Sequence, residues 1–386
     1  MQLKALIYTM TIAVGLTIFI SACVEPYSLD YVQSKRIFTV DGEISDNPRS
    51  AQLITLTESV PLGIRNTFSP ISDAVVEVIV NESKRYRFEE IREGDYAKPD
   101  NLLVEAGQQY RLEISLPNGK RYRSEIEEFK STSIIDNAYT QLELEGISLN
   151  TGYIPAHYLY VDTKDQPGKG NNYVWSWKLY ERQDICESCI NGRYFISQRT
   201  GIGSCRDESG PFQNDLYYND YRCEGDCWQI FFNPQINAMS DTYTDGNLII
   251  GRLIGKIPVY QQSGALVEIK QQSISSGAFR YIKLLTEQSQ ANGGLADTPP
   301  APLIGNIKSV DDPDEIVGGY FMATSEQTRL LWLDRKDVAE QQIKSSGLLG
   351  RPASLEVTLD DPDRPPLAPC IGSRFRTPVK PDGWID

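Results

Sequence analysis

The sharpest chemistry in this sequence belongs to its seven cysteines. Cys23 stands alone near the start, five more crowd between Cys186 and Cys227, and Cys370 lies near the end. The crowded stretch reads Cys186-Glu187-Ser188-Cys189, then Cys205, then Cys223-Glu224-Gly225-Asp226-Cys227. Thiols so close together can form structural disulfides, chelate zinc as thiolates, or work as a redox dithiol. A thioredoxin-type CxxC opens a helix after a strand. Here Asn191 and Gly192 follow, with no helical stripe of apolar residues. The compartment must decide among the three, and residues 1–23 bear on it.

Lys4 supplies a short positive start, an apolar run from Ala5 to Ile20 follows, and Ser21-Ala22 leads into Cys23. That order predicts a bacterial lipoprotein signal over residues 1–22, cleavage before Cys23, and lipid on its sulfur. The run is short for a membrane span, and the tether-like Cys23-Val24-Glu25-Pro26-Tyr27 follows it. An exported chain favours disulfides over thiolate chemistry. With Cys23 lipidated, Cys186, Cys189, Cys205, Cys223, Cys227 and Cys370 are the disulfide candidates, their pairing open. No metal or cofactor is expected.

The remaining reactive residues point away from catalysis. His157 is the one histidine, in phase with Leu159 and Val161, so it should face inward or lie at a strand end as a structural residue. A histidine-dependent triad or multi-histidine metal site has nothing to stand on. There is no glycine-rich phosphate loop, no Gly-x-Ser-x-Gly elbow and no His-Glu-x-x-His. The acidic runs Asp311-Asp312-Pro313-Asp314-Glu315 and Asp360-Asp361-Pro362-Asp363 could offer oxygen ligands to calcium, but lack the spacing of an EF-hand. Tyr217-Tyr218-Asn219-Asp220-Tyr221 would suit protein or sugar contact if exposed. A formal charge of -14 repels phosphate backbones, so nucleic acid is no expected partner. No catalytic residue is assigned and no enzyme is expected.

The elements that must position these residues read as β structure. Residues 23–35 have no periodicity and form a tether. Over residues 36–128, period-two patterns at Phe38 and Val40, Ile54 and Leu56, and Tyr110, Leu112, Ile114, Leu116, with a nearly continuous β-branched run from Ala74 to Val80 expected in the core, predict an immunoglobulin-like or transthyretin-like sandwich. Pro117-Asn118-Gly119 turns the last run into a hairpin with Tyr122 and Ser124. Asn81-Glu82-Ser83 is expected as a polar turn. Residues 129–386 predict a larger β-rich domain with a cysteine-stapled insertion at 184–228. Its strands are marked by Leu142 and Leu144, Leu159 and Val161, Trp175 to Leu179, Trp228 to Phe232, Leu248 to Tyr260, Leu266 to Lys270, Ile316 to Ala323, and Arg329 to Leu333. Its main helix lies near 276–289, with Ser275 as cap and Ala278, Tyr281, Ile282 and Leu285 as apolar stripe; Asn292-Gly293-Gly294 and Pro299-Pro300 end it.

From this helix onward the succession Ser273-Ile274-Ser275, Asn292-Gly293-Gly294, Pro299-Pro300, Gly305-Asn306-Ile307, Asp311-Asp312-Pro313 and Gly319-Tyr320-Phe321 resembles the domain of unknown function 4249 family. The resemblance extends to the signal, Val40-Asp41-Gly42, Trp175 and Trp177, Asp245-Gly246 and Lys380-Pro381-Asp382-Gly383-Trp384. It implies a Bacteroidetes-type lipoprotein anchored in the outer membrane through Cys23 and facing the cell surface. It also implies an accessory or ligand-capture role beside a TonB-dependent β-barrel transporter, the alternative being a surface adhesin or envelope-structural lipoprotein. Members often carry a second cysteine close to the position of Cys370; Ser373 stands here instead, so no pairing is carried over.

Overall fold

The computed structural model describes residues 36–50, 52–62, 65–197, 199–208, 216–290, 303–357 and 366–386. Cys23 and the expected signal and tether lie outside them. The chain is mainly β, with one main helix. Among the described residues no helix is long and apolar enough to cross a membrane.

The first sandwich follows from alternation. Strand Phe38–Ser45 pairs antiparallel with Leu53–Leu62, placing Val40 opposite Leu56. Val75–Val80 is flanked by Lys84–Arg92 and Gln109–Ser115. Lys84–Arg92 turns the corner between layers: Lys84 to Phe88 pair with Val75–Val80, while Glu89, Glu90 and Arg92 pair with Asp95–Ala97. The inward side chains, among them Val40, Ile54, Leu56, Val76, Val78, Tyr110, Leu112 and Ile114, are fully buried or nearly so. Each is worth roughly 1.5–3 kcal/mol relative to exposure. Asn81 and Glu82 have φ of 48° and 56°, giving the tight polar turn read from Asn81-Glu82-Ser83.

Residues 36–128 do not complete this core alone. Ile307–Ser309 pairs with Arg121–Ser124, and Val317–Leu333 lies parallel to Phe38–Ser45, adding Ile307, Val317, Phe321 and Ala323. The two strands expected at Ile316 to Ala323 and Arg329 to Leu333 are one, of 17 residues. The polar segment Ser325-Glu326-Gln327-Thr328 hides the continuity in sequence, yet it continues the ladder against Ala265–Ile274. Gly319 is required at the junction: its φ is 89°, and a Cβ there would come within 1.9 Å of the Val40 carbonyl oxygen.

In the second half, Asn172–Arg182 and Ala265–Ile274 extend the same sheet. Trp175, Trp177, Leu179, Val267 and Ile269 pack with Leu159, Val161, Ile249 and Ile257 of the three-stranded sheet formed by Ile135–Leu149, Gly152–Lys164 and Leu248–Pro258. The period of two therefore sends Ser176, Lys178, Tyr180, Glu268 and Lys270 to the opposite face. Part of that face is covered by the helix Ser276–Gln290. The Ser275 hydroxyl accepts from the Ala278 amide at 3.1 Å, and Ala278 and Ile282 pack with Val174, Ile274 and Tyr320. Tyr281 and Leu285, the other two stripe residues, are half-buried. The expected terminators at residues 292–294 and 299–300 lie outside the described residues. A short helix, Lys336–Glu340, carries no sequence signal strong enough to predict it.

Candidate functional site

Between the helix and a tryptophan cluster, the outward face of the sheet stays open as a groove of about 910 Å³. Its floor is set by cross-strand register. Tyr180, Leu266 and Trp332 form one row; Lys178, Glu268 and Leu330 the next; then Ser176, Lys270 and Thr328; then Gln272 with Glu326. Residues 46–50, the loop after Phe38–Ser45, make one wall, and Pro381 with Asp382 make part of another.

The floor is a lattice of paired charges. Lys178 Nζ lies 3.0 Å from Glu268 Oε1, and the Tyr180 hydroxyl donates to Glu268 Oε2 at 3.1 Å. Lys270 Nζ lies 3.0 Å from Glu326 Oε2 and 3.7 Å from Glu43. Glu326, with a side chain only 2% exposed, also fastens the wall: Oε1 accepts from Asn47 Nδ2 at 2.7 Å and from the Ser50 hydroxyl. Asp46 returns the bond, accepting from the Ser325 hydroxyl and the Glu326 amide, both at 2.8 Å. Burial pulls the Lys270 ammonium down, but Glu43 and Glu326 outweigh it and hold its pKa above the usual lysine value. Tyr180 is raised by burial and by Glu268. Ion pairs held in this way present ammonium donors and carboxylate acceptors at set positions.

The far wall depends on the cysteines. Cys227 is bonded to Cys370 across 143 residues, Cys186 to Cys223 and Cys189 to Cys205. Cys186 and Cys189 thus have different partners, which is incompatible with a CxxC redox pair. The sulfurs of Cys186, Cys223 and Cys227 lie within 4.8 Å of one another, but all three are spent in disulfides, leaving no thiolate for a metal. The Cys227 bond ties down the tail, as do Arg376–Thr377 pairing with Trp228–Phe232 and Trp384 set edge-on against Trp228 and Trp332.

Other candidate residues fall elsewhere. His157 is fully buried, 3.2 Å from Asp337 through Nε2; burial lowers its pKa, Asp337 opposing, so it is neutral at pH 7. Asp311 pairs with Arg121, and Glu315 with Lys120 and Tyr122, so that acidic run ties a loop to the hairpin. Asp360-Asp361-Pro362-Asp363 lies outside the described residues. Tyr217 to Tyr221 is not an exposed aromatic face: Asp220 and Tyr221 are fully buried, since Asp220 anchors Arg351 and Tyr221 packs on Tyr194. Two buried acids carry no sequence signal. Glu181 is paired with Arg335, both fully buried. Glu127 accepts from Tyr320 at 2.8 Å and Asn306 at 3.2 Å, its other oxygen unpartnered; burial pushes its pKa up to about 7 against hydrogen bonds from Ser275, Tyr320 and Asn306. The groove itself had one trace in sequence, the charges of Glu268 and Lys270 interleaved with Val267 and Ile269.

A family model described as "Domain of unknown function (DUF4249)" matches residues 24–329. No curated protein and no solved structure matches the chain.

Proposed function

Because the chain belongs to the domain of unknown function 4249 family, we propose that it is a non-enzymatic, lipid-anchored outer-membrane protein that captures a solute for a TonB-dependent β-barrel transporter. The groove carries the reading: its 910 Å³ is within the range of ligand sites, and its walls come from segments far apart in sequence. Such a cleft on a rigid sheet holds a ligand without rearranging the core. The ion-paired state of Glu268 and Glu326 supports binding over proton transfer. The signal grammar ending at Cys23 supports the anchor, and the family resemblance is what favours a cell-surface location.

The test is a mild-detergent pull-down of the lipidated protein from native membranes, read by mass spectrometry. A stoichiometric TonB-dependent barrel is the expected result. A surface-exposed protein with no barrel partner overturns the transporter role and leaves adhesion or envelope structure.

A further inference from the structure

From the charges on the groove floor we infer that the captured solute is a neutral, polyhydroxylated chain, an oligosaccharide, and not an anion or a cation. The inference rests on the capture reading and adds the ligand's chemical class. Two floor cations, Lys178 and Lys270, are each already paired at 3.0 Å with a carboxylate on a neighbouring strand. An anionic ligand seated on the floor would have to draw one of them off its partner, leaving a partly buried carboxylate uncompensated; the third cation of the lining, Arg49, stands exposed on the wall. A cationic ligand on the floor meets Glu268 and Glu326, whose charge Lys178 and Lys270 already balance. Among the residues lining the groove, acids and bases nearly cancel, four against three, so there is little net field to steer either ion.

A hydroxyl needs no such displacement, because it donates and accepts at once. Lys178 has three ammonium donors and spends one on Glu268, while each oxygen of Glu268 takes one bond, from Lys178 and from Tyr180. Two adjacent sugar hydroxyls can therefore bridge the pair, one donating to the carboxylate and the other accepting from the ammonium. The next row repeats the offer with Lys270 and Thr328, about 7 Å along the strands. Leu330, 44% exposed, and the Tyr180 ring supply apolar surface for the C–H faces of sugar rings. A repeat of paired polar groups beside apolar surface suits a chain of sugar units.

The experiment is calorimetric titration of the full lipidated protein in a polyoxyethylene detergent, chosen because maltoside head groups are themselves sugars. The probes are neutral gluco-, xylo-, manno- and galacto-oligosaccharides of six units, an oligogalacturonate as anion, trilysine as cation, and glycine. One neutral series should bind, with a Kd that changes less than twofold between 0.05 and 0.5 M salt. Lys178→Met with Glu268→Gln removes the charges while keeping the shape and should weaken that binding at least tenfold, the melting transition staying cooperative. Binding of only the charged probes, a steep salt dependence, equal affinity in the double variant, or no binding by any neutral series overturns the inference. The barrel pull-down is read separately, so a lost ligand class and a lost transporter role are told apart.

Discussion

Glu127→Gln isolates one buried acid at the seam between the sandwich and the helix. The Glu127 carboxyl has its pKa raised from 4.5 to about 7, chiefly by burial. The folded state therefore keeps its proton up to about pH 7 while the unfolded chain releases it near 4.5. The folded state binds more protons in between, so stability is fully present below 4.5 and is lost as pH rises through 7. At about 1.4 kcal/mol per decade, this group should remove about 2.5 kcal/mol between pH 5 and pH 8. Glutamine keeps an oxygen for Tyr320 and Asn306 and does not titrate. Urea unfolding of both proteins at the two pH values gives the comparison. The variant should gain about 2.5 kcal/mol relative to wild type on going from pH 5 to pH 8, whatever its fixed offset. Because His157 titrates in both proteins, it cancels. A difference that is the same at both pH values refutes the argument.

Cys370→Ser should free the tail, lowering stability by about 2–4 kcal/mol and exposing residues after 366 to protease, seen by limited proteolysis. Arg335→Met leaves Glu181 buried and unpaired, so thermal unfolding should report a loss of about 3–5 kcal/mol. Cys23→Ala should yield folded protein in the soluble fraction on membrane fractionation; retention in the membrane contradicts the lipoprotein reading.

Much of the fold was legible because alternation is a local property. Tyr110 to Leu116 and Trp175 to Leu179 announce their strands by alternation, and Ala74 to Val80 by a nearly continuous β-branched run, within a few residues each. What stayed hidden depends on partners far away in the chain. Ser325 to Thr328 look like a loop until Asp46 and residues 271–273 are seen beside them. Tyr217 to Tyr221 look like surface until Arg351 and Tyr194 arrive. The six disulfide candidates could be named from residue type and compartment, but the bond from Cys227 to Cys370 spans 143 residues and has no local signature. The groove was least visible of all. Its charges sit on three strands, and only the register places Lys178 beside Glu268 and Lys270 near Glu326.

The most direct measurement is photo-crosslinking in living cells from Thr328, an exposed position on the groove floor, with Glu93 on the sandwich as the remote control. Capture in the groove predicts a discrete small-mass adduct from the Thr328 probe, absent from the Glu93 probe and lost when Lys178→Met and Glu268→Gln are added. The same products from both positions, or no adduct at Thr328 in cells where the barrel co-purifies, would contradict it.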